Sequence, residues 1–471
     1  MDILDHPEAQ ALLDDAELSA DAVRACADRL TAFAQRYLPL FHRQEQRGHA
    51  LAVLRGKLTG LQRKTTEPIA TQAGLKRRPL QLFVGAGGWD DRAVLDELRR
   101  HVAEELADPD GVFVLDPSGF AKKGDDSCGV ARQWCGRLGK VENCQAGVFL
   151  AYAARRGKAL LDARLYLTED WVADPKRRAK THVPADVTFR EKWRIGLELL
   201  DRARADLPGG WVAGDDEFGR CSELRAALRY RRLRYVLDVP CNTLVRDVAQ
   251  RRPPSRPGRR PRLPLFERVD RWAARQPAGR WRQVKVRDGE KGPIKVKVLL
   301  ATVQTKDEEG RAGGSERVVV IRSCEKRPRT WYALSNARQA KRPELARVHG
   351  ARHRVEELLE EGKGEVGLGH YEVRSWVGWH HHMALSLLAL WFLQRERLRL
   401  GGENAGGDGA ASEGHLHGVA AAAAAERGAD SEGRQPGATA ERGGAHLPLV
   451  QGHGETPAAA AAADPTAARA A

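Results

Sequence analysis

The chain has 471 residues, a length that favours two to four domains over one. Lysine and arginine total 78 and aspartate and glutamate total 63, so the formal net charge is +15 at pH 7. Such an excess points to a polyanionic partner, most often nucleic acid. The sequence contains no run of about 18 apolar residues, which argues against a transmembrane helix and against a membrane partner.

Two features predict a cytoplasmic location. Residues 1–6 hold no basic segment followed by an apolar one, so no secretory signal is expected. The seven cysteines include no Cys-x2-Cys pair, and free thiols in a reducing cytosol are the simplest interpretation of their scatter.

Residues 1–106 are predicted to form a helical region that binds DNA. Apolar residues recur at helical spacing around positions 11–13, 23–33 and 95–106. Basic stretches at 55–64 and 76–78 lie between these helices. A basic helical face is either solvated or in contact with DNA, and both interpretations stay open for these stretches.

Residues 107–240 are predicted to form the first part of an α/β core. Apolar runs predict three strands, followed by helix, strand, helix and strand, at 112–115, 146–153, 159–167, 189–205, 211–214, 222–228 and 235–237. Three antiparallel strands followed by that alternation is the order of an RNase H-like mixed sheet flanked by helices.

The remaining chain divides into three segments. Residues 241–340 are predicted to be a β-rich insertion that presents positive charge, because valines alternate there with cations such as Lys285 and Lys297. The insertion includes a basic linker at 251–262, with six arginines and no acid. Residues 341–398 are predicted to supply the last two helices of the catalytic core. Residues 399–471 form a Gly/Ala-rich tail that is predicted to be disordered, since it cannot bury enough apolar area.

Two aspartates mark the candidate site. Asp116 and Asp215 each follow an apolar strand, and ligands bind beyond the carboxyl ends of such strands. In an RNase H-like sheet the first and fourth strands are neighbours, so the two carboxylates would lie side by side. Adjacent carboxylates repel unless a cation lies between them, and Mg²⁺ prefers such hard oxygen ligands. The alternative for either residue alone is that it caps a turn.

The third acid is selected by helix phase. In the helix predicted over 347–361, Val355, Leu358 and Leu359 form the apolar stripe at about 100° per residue. Glu356 lies beside that stripe, in line with Arg352 and Lys363. The other glutamates of the helix point away and are expected to form a solvated acidic face. Glu356 is therefore the acid that can dock against the sheet.

These residues resemble the insertion-sequence transposases of the DDE superfamily, in the group with a Tyr-x2-Arg-x3-Glu-x6-Lys signature around the third acid. The signature is met here by Arg352, Glu356 and Lys363, and His349 stands where the family has Tyr. Further matching segments lie at 115–124, 139–145, 164–167, 215–219 and 367–374. The resemblance covers about residues 30–395.

The resemblance implies a metal-binding catalytic triad of Asp116, Asp215 and Glu356. The family's second aspartate stands three residues before an aromatic residue and glycine, which selects Asp215 over Asp216. The implied cofactor is Mg²⁺, with Mn²⁺ as an alternative, and the implied reaction is DNA strand cleavage and strand transfer at the ends of the element.

The implied partners are double-stranded DNA, both as the element's terminal repeats and as the target, and a second copy of the chain in a homodimeric DNA complex. The protein would then be associated with the nucleoid in the cytoplasm. Arg352 and Lys363 would bind phosphates near the cut, with Lys122 and Lys123 as further DNA contacts. Trp331 would stack on a flipped base in a hairpin-forming member, and a core tryptophan is the alternative.

Two other functions remain open at this point. One is a catalytically inactive DNA-binding relic of a transposase, and the other is a different Mg²⁺-dependent nuclease on the same RNase H-like fold.

Overall fold

The structure is a computed structural model that describes residues 20–250, 263–289, 292–307 and 309–399. The predicted basic linker at 251–262 lies outside the described residues, as do residues 1–19 and, from residue 400 onward, the predicted tail. None of the helices formed by the described residues combines the length and the apolarity needed to cross a bilayer.

The N-terminal region is helical, as predicted. Its helices are α1 (Ala20–Gln35), α2 (Gln44–Lys57), α3 (Thr66–Gln72), α4 (Arg77–Ala86) and α5 (Asp91–Leu106). Each buries apolar residues in one continuous core, among them Phe33, Leu54 and Leu98. The basic stretch at 55–64 is only partly an outward-facing surface, because Lys57 and Lys64 are buried whereas Arg63 is exposed.

The core sheet contains five strands in the RNase H-like order, which confirms the predicted fold class. The strands of the first half are β1 (Val112–Ala121), β2 (Ala131–Cys135), β3 (Lys140–Ala153), β4 (Lys158–Tyr166), β5 (Trp211–Gly214) and β6 (Arg234–Asp238). The order across the core is β4-β3-β1-β5-β6, in which β1, β3 and β4 are antiparallel and β1, β5 and β6 are parallel. Strand β2, which the sequence analysis missed, pairs with the start of β3.

Helices connect and flank these strands. They are α6 (Glu169–Ala173), α7 (Pro175–Lys180), α8 (Lys192–Asp206), α9 (Asp216–Gly219) and α10 (Ser222–Tyr230). The last two helices of the core are α12 (Arg342–Gly364) and α13 (Trp376–Arg399). Helix α13 is buried along most of its length, with Trp379 and Trp391 inside the core, so it joins the N-terminal helices to the sheet.

The β-rich segment extends the same sheet rather than forming a separate one. It contains β7 (Leu244–Asp247), β8 (Glu267–Arg268), helix α11 (Val269–Ala274), β9 (Arg282–Gly289), β10 (Gly292–Lys306), β11 (Ala312–Ser323) and β12 (Thr330–Ser335). Strand β12 pairs with β6, and the order continues through β11, β10, β7 and β8. The described residues thus form one sheet of twelve strands.

The β9–β10 hairpin has one apolar and one basic face, as its alternating sequence predicts. Val284 pairs with Val296, and both are partly buried, whereas Lys285 pairs with Lys295 and both are exposed. The hairpin packs against α12. Its cations therefore point outward beside the helix that carries Glu356.

A buried ion network joins the extension to the core. The Glu316 carboxylate of β11 lies 3.2 Å from Arg225 Nε and 3.2 Å from Arg229 Nη1, both on α10. It also accepts hydrogen bonds from the Tyr235 hydroxyl of β6 and from Thr305 Oγ1 of β10, the latter at 3.3 Å. Glu316 is 3 % exposed, and of its two arginine partners Arg225 is buried whereas Arg229 is partly exposed, so this carboxylate neutralises the buried guanidinium charge of Arg225.

We expect Glu316→Ala to lower the free energy of unfolding by about 3–5 kcal/mol, because truncating one partner leaves the other buried charge uncompensated. Urea denaturation followed by circular dichroism measures this loss. The matched control is Glu309→Ala, which removes an exposed glutamate from its pair with Arg311 and should change stability by less than about 0.5 kcal/mol. Equal losses in the two variants would contradict the structural role given to Glu316.

Candidate active site

Three aspartates stand in a row across the parallel strands. Leu115 of β1 pairs with Gly214 of β5, and Gly214 pairs with Leu237 of β6. These three residues are followed in the chain by Asp116, Asp215 and Asp238, respectively. Backbone pairing therefore sets the three aspartates beside one another.

Asp116 does not end its strand, contrary to the prediction. Strand β1 continues to Ala121 because β3 is long enough to pair with all of it, and Asp116 itself lies opposite Phe149. The parallel neighbour β5 stops at Gly214. Asp116 is thus at the point where the parallel pairing ends, inside a strand that runs on.

Asp215 caps helix α9 and also neighbours Asp116. Its Oδ1 accepts hydrogen bonds from the backbone N–H groups of Glu217 at 3.1 Å and Phe218 at 3.3 Å. Asp216 instead pairs with Arg220 at 3.0 Å on the surface. The turn-capping alternative therefore describes part of what Asp215 does, and of these two aspartates Asp215 is the one held beside the β1 carboxylate.

Gly219 allows helix α9 to end against β6. A Cβ built at this glycine would lie 1.7 Å from the Asp238 carbonyl oxygen, a distance that no side chain can occupy. The glycine three residues after Asp216 therefore keeps the Asp215 turn and the Asp238 backbone in direct contact.

The aspartates are held where their charge is unfavourable. Burial raises the pKa of Asp116 well above its usual range, and the neighbouring charges of Asp215 and Glu356 raise it further, against the opposing effect of Arg352 and Lys363. Burial and the charge of Glu217 raise the pKa of Asp215 to about 6. Two carboxylates in this relation titrate as a pair and favour a cation between them.

Helix α12 brings Glu356 to this row. Val355, Leu358 and Leu359 are buried, as the helix phase predicts, and the Glu356 carboxylate beside them pairs with Arg352 and lies 3.4 Å from His353 Nδ1. Burial alone would raise the pKa of Glu356, but the hydrogen bond from His353 and the charge of Arg352 outweigh it, so that the pKa is lowered.

The other glutamates of α12 do not form a uniformly solvated face. Glu357 and Glu361 lie 3.4 and 3.5 Å from Nζ of Lys158, a buried lysine at the start of β4. Glu361 also pairs with Arg397 of α13. Glu360 is exposed, as predicted. These pairs are not predictable from helix phase, because Lys158 is distant in the chain.

Asp238 is the site residue that the sequence analysis missed. Its Oδ2 lies 3.3 Å from Arg352 Nε and its Oδ1 lies 3.2 Å from His349 Nε2. Arg352 thus bridges Asp238 and Glu356. The signal was present in the sequence, because residues 235–237 are an apolar run that ends in aspartate, as at the other two positions.

The remaining predicted residues lie at different distances from the row. Lys363 lies close enough to lower the pKa of Asp116, with its Nζ 5.9 Å from the Phe120 ring. Trp331 is half-buried and contacts His349 edge-on, with the ring centroids 5.9 Å apart. Lys122 is directed instead at the Tyr371 ring, 3.4 Å from its centroid, and Lys123 is exposed.

The donor set suits a hard divalent cation only in part. Asp116 and Asp215 offer neighbouring carboxylate oxygens whose repulsion a cation would relieve. Among the residues that the structure describes, no three His, Cys, Asp or Glu side chains are close enough to hold a metal ion. Glu356 is engaged by Arg352, and to become a third carboxylate ligand it would have to exchange Arg352 for the metal.

Comparison with known proteins gives a family. The model described as DDE superfamily endonuclease matches residues 36–293, more than half of the chain, and includes Asp116 and Asp215. No curated protein matches the sequence. The chain belongs to the DDE superfamily endonucleases.

Proposed function

We propose that this DDE superfamily endonuclease is the transposase of an insertion sequence, which cuts DNA at the ends of its own element and joins those ends to target DNA. The observation that carries the proposal is the convergence of Asp116 and Asp215 with the α12 carboxylate of Glu356. The spacing of Arg352, Glu356 and Lys363, which resembles the transposase signature, favours a transposase over other nucleases.

We assign the metal ligands to Asp116, Asp215 and Glu356, and the metal to Mg²⁺ or Mn²⁺. Ions bound there would activate water or a 3′-hydroxyl and stabilise the leaving oxygen. The raised pKa of Asp116 supports this assignment, since burial and the neighbouring carboxylates outweigh the opposing charges of Arg352 and Lys363.

The side chains around the metal ligands position DNA. Arg352 and Lys363 would neutralise phosphate charge at the cut, and Asp238 would hold Arg352 in place when Glu356 turns to the metal. Trp331 borders this network through His349 and would stack on an unpaired base, a contact worth roughly 1–3 kcal/mol. Lys123 is a candidate phosphate contact on the surface, while Lys122 would have to leave Tyr371 to become one.

We assign catalysis to residues 107–240 and 341–398, DNA binding to residues 1–106, and a basic DNA-facing surface to the insertion at 241–340. The partner is double-stranded DNA, as terminal repeats and as target. Because two ends must be joined together, the active complex is proposed to be a homodimer on DNA. Its place in the cell would be the cytoplasm, at the nucleoid.

The first test is cleavage of a supercoiled plasmid that carries the flanking element ends, with Mg²⁺, with Mn²⁺ and with EDTA. We expect Glu356→Gln to reduce end-specific cleavage by roughly 100-fold or more, because a metal ligand is lost. Binding to end-containing DNA, measured by gel shift, should be unchanged. Glu360→Gln is the matched control, since Glu360 is an exposed glutamate of the same helix, and it should cut normally.

The outcomes separate the alternatives. Specific binding by the wild type without cutting in either metal would identify an inactive relic. Metal-dependent cutting that ignores the element ends would identify another nuclease of this fold. Cutting that needs metal but survives Glu356→Gln would overturn the assignment of the third ligand.

A second test addresses Asp238 as a positioning residue. In Asp238→Asn, Arg352 loses an anionic partner and competes with the metal for Glu356, so we expect the Mg²⁺ concentration for half-maximal cleavage to rise by about 10- to 100-fold. Excess Mg²⁺ should restore much of the rate, which a merely structural defect would not allow. Asp216→Asn, on the surface pair with Arg220, is the control and should leave the Mg²⁺ dependence unchanged.

A third test addresses the basic hairpin. If Lys295 and Lys297 contact phosphates, each Lys→Gln change should reduce the slope of log affinity against log salt by about 0.9. Fluorescence anisotropy with end-containing duplexes between low and moderate salt measures the slope. Arg156→Gln is the control. Arg156 is an exposed cation in the β3–β4 turn, beside the start of β1 and outside the β9–β10 hairpin. Identical slopes for all variants would exclude the hairpin from the interface.

A further inference from the structure

A cavity of about 220 Å³ lies between the N-terminal helices and the segment that follows α12. Its lining is rich in cationic and imidazole side chains, with one acid, and includes Lys57, Lys64, Arg78, His370, Glu372 and His382. The candidate active site uses none of these residues.

Lys57 is buried with little compensation. It is the last residue of α2 and is 1 % exposed, and its nearest acceptor is the Val366 carbonyl oxygen at 3.4 Å. Burial and the charge of Lys64 lower its pKa to about 7. A buried ammonium without a carboxylate partner costs free energy unless it loses its proton or gains an anion.

Lys64 differs from Lys57 because its ammonium group is well bonded. It donates to the carbonyl oxygens of Lys57 at 2.9 Å, Thr59 at 2.5 Å and Glu365. These bonds attach the loop after α2 to the end of α12. Lys64 therefore has a structural role, and its charge acts on Lys57, although burial lowers the pKa of Lys64 itself to about 8.

The acid in the cavity lining does not balance this charge. The Glu372 side chain is more than half exposed and lies 3.8 Å from Arg63 outside the lining. No carboxylate contributes to the lowered pKa of Lys57, whereas the charge of Lys57 helps to lower the pKa of His382. Within the described residues, the charge of Glu365 raises the pKa of Lys64 against the effect of burial, so the uncompensated charge at the floor of the cavity is that of Lys57.

We propose that this cavity binds a phosphate group, held by Lys57 from the floor and by Arg78 from the rim. Ammonium and guanidinium groups donate charge-assisted hydrogen bonds to phosphate oxygens, and the volume admits a phosphate or a nucleotide but not a duplex. The phosphate is either a free anion or the 5′-phosphate of a DNA strand.

The DNA source rests on the proposed function and has a geometric basis. The Lys363 ammonium lies 5.9 Å from the Phe120 ring, Phe120 lies 5.8 Å from Tyr371, and Tyr371 lies 4.9 Å from His382 in the cavity wall. These rings are buried, so they form a wall three side chains thick between the candidate active site and the cavity. A strand end that leaves the cut would enter the cavity from its rim, where Arg78 is exposed.

The test uses the full chain and measures its melting temperature at constant ionic strength, with inorganic phosphate or chloride. We expect phosphate to stabilise the protein relative to chloride. Lys57→Met should weaken phosphate binding at least tenfold while raising the melting temperature without phosphate, because an uncompensated buried charge is removed. A purely structural lysine would give a lower melting temperature and an unchanged phosphate response.

A second pair of variants keeps the proposal testable if Lys57→Met misfolds. Arg78→Gln should weaken phosphate binding, whereas Arg77→Gln, which removes a surface pair with Glu67, should not. Equal stabilisation by phosphate and chloride, or equal phosphate responses in all variants, would overturn the proposal.

Short single-stranded oligonucleotides distinguish the two sources. Tighter binding of a 5′-phosphorylated strand than of its 5′-hydroxyl form, lost in Arg78→Gln, would identify the DNA end as the ligand. Phosphate binding without that preference would identify a free anion. The cleavage assay is separate, so phosphate binding by a protein that does not cut DNA would refute the proposed function and leave the cavity assignment intact.

Discussion

The site depends on one electrostatic constraint, the forced proximity of Asp116, Asp215 and Asp238 on three paired parallel strands. The residues before them are paired in register. The backbone hydrogen bonds of the sheet therefore hold these carboxylates together despite their mutual repulsion. Such a row is stable only where positive charge reaches it. In this chain the guanidinium of Arg352 does so, bridging Asp238 and Glu356.

The placement of Arg352 determines how α12 must lie and how its other charges are used. The buried apolar stripe of α12 packs against the sheet. This packing directs Arg352 and Glu356 toward the aspartates. The next line, Glu357 and Glu361, then faces β4, where Lys158 is buried. Lys158 lies between these two carboxylates and reduces their mutual repulsion, so a residue far from the site stabilises its geometry.

Local patterns made much of this arrangement predictable. Helical periodicity singled out Glu356, and apolar runs ending in aspartate singled out Asp116 and Asp215, because each signal is contained within about ten residues. Strand β2 was missed because its sequence, with Arg132 and the exposed Trp134, shows no apolar alternation. The burial of Lys57 and Lys64 was also missed. A basic stretch is expected to be exposed unless the packing of the helices that cover it is known.

Arg352 can neutralise the acids of the site, but it cannot replace a metal ion in catalysis. DNA carries phosphates that an uncompensated row of acids repels. Cations near the row include Lys363 and those of the β9–β10 hairpin, which packs against the helix that carries Glu356. Arg352 relieves the acids in the folded protein, but a guanidinium cannot activate water. In the proposed mechanism, a metal that binds Glu356 would displace Arg352 from it, and Asp238 would keep the displaced guanidinium beside the site. This exchange of partners at Glu356 would link the stability of the site to its proposed chemistry.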